Sequence, residues 1–532
     1  MNSRSIILTA CGLAGAATIP ATAWAASKAT DKAAAPARKL NILFIQSDQL
    51  NTKAIGCYGG AVQTPNIDRL ARDGAQFMQA YVTRPTSSPC RASIVTGLHT
   101  YQHGIVNNVL PKNQQGLTAA DTTTDKLLNG AGYATHHYGK WHIGDEGKLP
   151  YFPDMYGYSD YIKENKKART AMMSDDQGEW MEFKGIAFPV ELALPIASRQ
   201  AWFEKNWSKR SDFDSYSKIG RLRLDPNQWV DWVTCDKAIA MLDELKGSDK
   251  PFMITSSFIW PHDPNFAPMP YYGMFDPAKI PDPSTSAPDK LYQGDWSYQF
   301  AQGLGKDGVK EFMRIYYANV KYVDDLVGRL MAALERNGQL DNTMVIFVAD
   351  HGDMLGNHGM VWKTTSSFYQ DLVRVPMIIY CPKLIAAGKY DMPVSVVDFM
   401  PTILSITGHK ELVPAGRPGL DLTRYVGKGA AAAAFPRKYV VCERVDNNAP
   451  GGARQVLPGA SAGFMITDAH WKLVKDTKGN ELLFDLKSDP DETRDLTSDP
   501  AMASKKQELR DALARELEQT GWSGGMEFLT KK

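Results

Sequence analysis

The sequence predicts an α/β protein: a large mixed, mostly parallel sheet sandwiched by helices, followed by a small C-terminal α+β subdomain. Three observations carry this expectation. Short, continuously apolar runs recur at residues 41–45, 252–258 and 343–348, as expected of strands covered on both faces. Segments with helical patterning lie between them, so strand, loop and helix alternate. A polar cluster follows each run (Asp48-Gln49, His262-Asp263, Asp350-His351), at the strand end where open α/β sheets place their ligands.

The elements can be justified in chain order. Residues 1–25 carry one charge, Arg4, then an apolar run over 6–17 and the small-x-small pattern Ala23-Trp24-Ala25, which reads as a secretory signal peptide. The run is too short and too rich in Gly and Ala to span a bilayer. A lipoprotein site at Leu8-Thr9-Ala10-Cys11 ranks second, because only three apolar residues precede it. Residues 26–39, rich in Ala, Lys and Pro, read as a flexible leader. The strand at 41–45 delivers Asp48 and Gln49. Thr64-Pro65 opens a helix, with Thr as N-cap and Pro in the first turn; Ile67, Leu70 and Ala71 face inward and Gly74 stops it.

A strand-like run over 76–82 leads to Ser87, at the N-terminus of a short helix that ends at Gly97. Backbone N–H groups and the helix dipole favour an anion there, and Arg91, four residues on, can turn its fork back to the same spot. A strand around 133–137 runs into Gly139-Lys140-Trp141-His142. Residues 146–225 read as an irregular insertion on the sheet, with Trp180, Trp202 and Trp207 and a mixed basic run over 163–169. A helix is expected over 228–245, with Trp229, Trp232, Val233 and Ile239 on its apolar side. The strand at 252–258 ends at Trp260-Pro261-His262-Asp263-Pro264. A long helix over 309–337, closed by Gly338, precedes the strand at 343–348 and Asp350-His351-Gly352-Asp353; 376–380 is one more strand. After Gly427 come an Ala-rich linker, short strands from Phe435 and a final helix over 502–517.

The 532 residues suffice for more than one core, and a 43% hydrophobic, 22% charged composition is that of a soluble globular chain. Without residues 1–25, basic and acidic residues balance at 59 each, which argues against a general nucleic-acid binder. The remaining cysteines, Cys57, Cys90, Cys235, Cys381 and Cys442, are scattered and odd in number, so they describe no disulfide framework. No further segment is long and apolar enough to be transmembrane.

Ser87-x-Pro89-x-Arg91 followed by Thr96-Gly97 resembles the signature of the type I sulfatases, in the alkaline phosphatase superfamily. In that family the first Ser or Cys is oxidised to formylglycine, an aldehyde. The register selects Ser87; Cys90 is excluded as precursor because position 92 is Ala, not Pro. The resemblance implies a Ser-type enzyme matured by a radical formylglycine maturase and an alkaline phosphatase-like fold. It extends to the closing segment Glu481-Leu482-Leu483-Phe484-Asp485-Leu486 and is thinnest over 146–225 and 265–308. On this reading 40–430 is the catalytic domain and 431–532 the C-terminal subdomain.

The resemblance implies the site group by group. Asp48, Gln49, Asp350 and His351, with the modified Ser87, would hold a divalent cation; oxygen dominance favours Ca²⁺ or Mg²⁺, and the one His widens the choice to Mn²⁺ or Zn²⁺. The commonest family form has Asp-Asp and Asp-Asn at these pairs, so Asp-Gln and Asp-His look like the variants of some carbohydrate sulfatases and of phosphonate monoester hydrolases. Lys140 would neutralise a sulfate oxygen. His142 would act as the base that releases sulfate from the formylglycine hydroxyl. His262 would bind the ester oxygen and act as general acid, and Lys363 would contact the sulfate and the bridging oxygen. Arg91, Lys140, Lys363 and the cation would stabilise charge on the transferring group. His136 and His137 read as packing or satisfied polar residues; Asn357 and His358 could belong to the site, with a loop-packing role at least as well supported.

The expected activity is therefore that of an exported, periplasmic or secreted sulfuric ester hydrolase. Its expected substrate is a sulfated saccharide of glycosaminoglycan or mucin type. The tryptophans of the insertion could line a sugar subsite or simply pack, and the basic run could meet an anionic polysaccharide or face solvent. A phosphonate or phosphate ester hydrolase with the same site is the rival enzyme; a glycan-binding protein with unmodified Ser87 is the rival from another class. The sugar, the sulfated position, exo or endo action and the oligomeric state stay open.

Overall fold

The computed structural model describes residues 39–110, 114–144, 149–152, 155–175, 178–183, 186–207, 218–282, 287–364, 366–429, 434–446 and 449–530. The expected signal peptide and the leader up to residue 38 lie outside the described residues. The central sheet has eight strands: β1 (Asn41–Asp48), β2 (Ala75–Phe77), β3 (Ala134–Gly139), β4 (Met155–Tyr156), β5 (Phe252–Pro261), β6 (Thr343–Ala349), β7 (Met377–Tyr380) and β8 (Gly388–Tyr390), in the order β8-β2-β7-β6-β1-β5-β3-β4. The run β6-β1-β5-β3-β4 is parallel throughout; β7 is antiparallel to β6 and β2, and β8 is parallel to β2. The expected mixed, mostly parallel sheet is what forms.

The helices include α1 (Pro65–Asp73), α2 (Ser87–Thr96), α3 (Thr124–Gly130), α4 (Tyr158–Asp175), α5 (Val230–Glu244), α6 (Trp296–Arg336), α7 (Phe399–Ile406) and α8 (Ala503–Gln519). α1, α5 and α6 pack together in one layer and α2, α3 and α7 in another. With helices on both faces, β1 is buried from Ile42 to Asp48, so its sequence reads apolar without alternation. The edge of Phe44 against Phe399, ring centroids 5.2 Å apart, fixes α7 to the sheet.

Several elements depart from the sequence expectation, each for a physical reason. The run at 76–82 breaks into β2 and a two-residue strand, Ala80–Tyr81, which pairs with Val394–Ser395 outside the main sheet. Thr64 stands before α1, but its hydroxyl does not cap it: Oγ1 accepts from Gly56 N and donates to Asp68. The carboxylate of Asp324 in α6 accepts the N–H groups of Asn66 and Ile67 instead. The buried side of α5 is Asp231, Thr234, Cys235, Ala238 and Leu242, while Trp232, Val233 and Ile239 are only half-buried. Trp232 is covered by the guanidinium of Arg329, 4.1 Å from its ring. α6 starts at Trp296, capped by Asp295 through Ser297 N, and a left-handed Gly305 interrupts it.

The described residues of the insertion form regular elements rather than irregular chain. It contains α4, a helix Gln200–Trp207 and three strands that join Phe266–Pro268 in a four-stranded sheet. Trp202 lies against α6 at Gly303, where a Cβ would stand 2.0 Å from its ring, so it packs the insertion onto α6. Trp180 is half-buried; the side chain of Trp207 lies outside the described residues.

The C-terminal segment forms an antiparallel meander, β9 (Val440–Val445), β10 (Ala462–Thr467), β11 (Trp471–Asp476) and β12 (Glu481–Asp485), with α8 on one face. Period-two alternation divides its side chains. Val441, Val445, Phe464, Ile466, Leu473 and Leu483 make a second core with Leu509, Leu513 and Leu517 of α8. Val440, Cys442, Met465, Val474 and Phe484 belong to the main core. Among the described residues Cys57, Cys90, Cys235, Cys381 and Cys442 are free, and no described helix is long and apolar enough to cross a membrane.

Candidate active site

The parallel register builds the site. Ser47 of β1 pairs with Ala349 of β6, so the next residues, Asp48 and Asp350, emerge side by side. On the other flank β3 ends at Gly139 opposite Ser257, and Lys140 N–H donates to Ser257 O at 3.0 Å. Gly139 has φ 98° and a Cβ there would stand 2.0 Å from that carbonyl, so only glycine lets the chain turn so close to β5. Beyond β5, Asp231 at the start of α5 accepts the N–H groups of Ile259 and Trp260 at 2.7 and 2.9 Å, pinning the loop that carries His262. Burial pushes the Asp231 carboxyl up to about 7.

Ser87, the first residue of α2, projects into the space between these strand ends. Its Oγ lies 3.4 Å from both carboxylate oxygens of Asp48, 3.1 Å from His351 Nε2 and 3.4 Å from Lys140 Nζ. Ser88 supports it from behind: its N–H donates to Asn108 Oδ1 and its Oγ to the carbonyl of His142. Cys90 points instead into the core, where burial raises its thiol pKa. Arg91, one turn into α2, donates Nη2 to Asp48 at 2.9 Å, Nε to Asp350 at 2.7 Å and Nη1 to Lys140 O and Ser257 Oγ. Burial works against its charge, but the two carboxylates raise its pKa.

Asp48 is fully buried, which by itself favours the neutral acid. Lys140, with Nζ 2.5 Å away, leads the surrounding cations in reversing this, and the carboxyl is held well below the usual range. His351 Nδ1–H donates to Gly352 O at 2.9 Å, so its lone pair sits on Nε2, 3.6 and 3.8 Å from oxygens of Asp48 and Asp350. Burial lowers the His351 pKa to about 4, which keeps the ring neutral. Ligand atoms of Asp48, Asp350 and His351 all lie within 4.8 Å of one another. Two anionic carboxylates and a neutral imidazole with a free lone pair fit a divalent cation. Gln49 adjoins this set with a left-handed φ of 64°, sparsely populated by non-glycine residues and typical of functional sites. Its Oε1 accepts from Lys363 at 2.8 Å and its Nε2 donates to Asp353 at 2.7 Å.

Lys363 also donates to His262 Nε2 at 2.7 Å, and burial lowers the pKa of both groups. His142, half-buried, has a left-handed φ of 61°. His137 meets Trp141 edge-on, His358 stacks on Tyr369 at 3.8 Å, and Asn357 donates to Asp371.

Sequence reasoning missed the supporting groups. Asp353, which orients Gln49, was within sight in Asp350-His351-Gly352-Asp353. Ser257 and Asn108 carry no signal of their own, because contacts distant in sequence recruit them. A further feature lies behind the site. A small cavity, with about 20 Å³ open to the centre of a water molecule, is lined by Gln46, Asp125 and His137 together with Arg91 and Lys140. Asp125 Oδ1 and Gln46 Nε2 are buried there without a hydrogen-bond partner, and the space suffices for a bridging water.

Comparison with known proteins gives a consistent result. The sulfatase family profile matches residues 40–409, and a profile for the C-terminal region of N-sulphoglucosamine sulphohydrolase matches 356–519. An arylsulfatase of Clostridium perfringens is 28% identical over 518 residues, spanning 92% of this chain and 97% of the relative. An N-acetylglucosamine-6-O-sulfatase of Bacteroides thetaiotaomicron is 27% identical, spanning 90% and 86%. Among solved structures, a complex with the substrate D-glucosamine-2-N,6-O-disulfate superposes with a TM-score of 0.66 at 23% identity, covering 91% of this chain and 98% of the other. A phosphonate monoester hydrolase from Silicibacter pomeroyi superposes with a TM-score of 0.69 at 22% identity, covering 90% and 96%. At such identities the solved structures speak to the fold alone.

Proposed function

The chain belongs to the sulfatase family and is a sulfuric ester hydrolase, and from that premise we propose that it is an exported enzyme that removes sulfate from sulfated carbohydrates of glycosaminoglycan or mucin type, using a formylglycine made from Ser87 and a bound Ca²⁺. One observation carries the reading of the site. Asp48, His351 and Lys140 converge within 3.4 Å of the Oγ of the residue that the signature selects for oxidation. The sugar reading draws support from the N-acetylglucosamine-6-O-sulfatase and from a Δ4,5-hexuronate-2-O-sulfatase of Bacteroides thetaiotaomicron among the relatives. Export is supported by residues 1–25, and maturation by a radical maturase follows from the Ser-type signature.

Asp48, Asp350, His351 and Gln49 are the residues that would hold the cation, which when bound supplies Lewis-acid charge to the sulfate oxygens. A formylglycine at position 87 would supply two hydroxyls on one carbon, one for attack and one for release. Arg91 fixes the two carboxylates in register and Lys140 brings a positive charge to the sulfate. His142 accepts a proton at the hydroxyl of residue 87. Lys363 and His262 act together on the leaving oxygen, and the proton taken by the departing alcohol comes from this pair.

The test is free sulfate released from defined sulfated saccharides by protein matured in its host, with Ser87→Ala as control and the mass of the residue-87 peptide measured. Release from a sugar linkage, lost in the control, is the expected result. An oxidised residue 87 with no sugar turnover, alongside hydrolysis of phosphate or phosphonate esters, overturns it.

A further inference from the structure

We propose that Arg84 and Arg444 form a second anion subsite beside Ser87, which takes a carboxylate or a further sulfate borne by the sugar that carries the scissile ester. The proposal rests on the reading of Ser87 as the sulfate-transfer centre. Arg84 lies three residues before Ser87 and is only 2% exposed, comparable with Ser87 at 1%. Its Nη1 donates to Val445 O at 2.8 Å and its Nη2 to Asn107 Oδ1 at 3.3 Å, while Nε is buried without a partner. Asn107 precedes Asn108, which accepts from Ser88 N–H, so Arg84 is tied to the catalytic turn by two routes.

Arg444 reaches the same flank from β9. Alternation places it on the face of the meander shared by Val440 and Cys442, which belong to the main core. Its Nη1 lies 3.4 Å from the carbonyl of Ser366, three residues past Lys363, and its Nε is buried without a partner. Neither guanidinium forms an ion pair among the described residues. Burial lowers the Arg84 pKa to about 10; Asp446 opposes this and Arg444 adds to it.

Burying the Arg84 guanidinium without an ion-paired counter-charge is costly, so a fold that sets it near the half-buried Arg444 beside a reaction centre has a ligand in view. The guanidinium fork matches the planar carboxylate and the oxyanion face of a sulfate, and an ammonium would not do so equally. A singly charged ester would leave this pair unmatched. A disulfated hexosamine or a sulfated hexuronate would satisfy it.

The experiment compares kcat/KM of the host-matured enzyme on a monosulfated hexosamine, the matching disulfated hexosamine and a sulfated hexuronate. The parent is expected to prefer one doubly charged substrate by about tenfold or more, as befits one charge-assisted contact; the arm that wins identifies carboxylate or sulfate. Arg444→Ala should bring that ratio near one, chiefly through KM. Arg84→Lys, which keeps the charge and loses the fork, should fall between. A parent that turns over singly and doubly charged sugars equally, or a ratio untouched by Arg444→Ala in a protein with the parent's Tm, overturns the subsite alone. No sulfate release from any of the three overturns the sugar reading and the subsite with it.

Discussion

Lys363 donates from Nζ to Nε2 of His262 across 2.7 Å, while Nδ1–H of the same ring donates to the carbonyl of Asp263 at 2.9 Å. The imidazole is therefore neutral in this arrangement, with its proton on the far nitrogen, and the mobile proton facing the site belongs to the lysine. The two groups behave as one proton-delivering unit. Lys363→Ala and His262→Ala should each cut kcat by about a hundredfold or more on a sugar sulfate, and the double variant should lose little beyond either. The loss should shrink on 4-nitrophenyl sulfate, whose leaving group needs no proton. Equal losses on both substrates would show that the pair binds sulfate rather than protonating the alcohol.

Arg91 is the strut of the site. It spans Asp48 and Asp350 with separate nitrogens, and all three groups are buried. Arg91→Ala would leave two carboxylates facing each other without their shared cation, at a cost of about 3–5 kcal/mol. Arg91→Lys keeps the charge but reaches one carboxylate at a time. Thermal unfolding should rank the parent above Arg91→Lys and Arg91→Ala lowest, with added Ca²⁺ narrowing the gap. Equal Tm values for Arg91→Ala and the parent would exclude this role.

Cation binding can be read without turnover. A ligand at a hundred times its Kd stabilises by about 2.7 kcal/mol. Parent protein stripped by a chelator should gain Tm on addition of Ca²⁺, and Asp350→Asn should lose most of that gain. A parent whose Tm ignores Ca²⁺, Mg²⁺, Mn²⁺ and Zn²⁺ alike would contradict the assignment of Asp48, Asp350 and His351 as ligands.

Asp125 offers a pH test away from the ligands. Burial pushes its carboxyl up to about 7, against about 3.9 for an unfolded chain. The folded state thus holds the extra proton between these values. Its contribution to stability is complete below about pH 4 and is lost as pH rises through 7. Asp125→Asn has no proton to lose. It should match the parent near pH 4.5 and exceed it in Tm at pH 8, by at most about 4 kcal/mol in stability. A Tm difference that stays flat from pH 4.5 to 8 would show that Asp125 is charged in the folded protein.

The sequence made the strand ends legible because burial on both faces forces an unbroken apolar run, and a polar residue directly after such a run has few reasons to be there. Asp48, His262 and Asp350 were visible in this way, and Ser87 through its motif. What escaped was recruited across the fold. Ser257 holds Arg91 only because β3 and β5 run in register, and Asp353 turns Gln49 only because that residue adopts a left-handed φ. The insertion looked irregular because its sheet borrows a strand, Phe266–Pro268, from beyond its own boundary, and no local pattern announces such a loan.

The start of α1 shows the same limit in testable form. Local preference assigns the cap to Thr64, yet the buried carboxylate of Asp324 accepts both N–H groups of the first turn, at 3.0 and 2.9 Å from Oδ1, and holds Asn66 through Oδ2. The capping group thus comes from α6 and is also the tie between the two helices. Thr64→Ala gives up bonds to Gly56 and Asp68 and should cost about 1 kcal/mol. Asp324→Ala strands both first-turn donors and leaves Lys321 with Asp325 alone, so its loss should be two to three times larger, on the order of 2–3 kcal/mol. Asp324→Asn, which keeps one acceptor oxygen, should fall between them. Denaturant unfolding of the three variants decides the matter: a larger loss for Thr64→Ala than for Asp324→Ala would return the cap to the residue that sequence preference names.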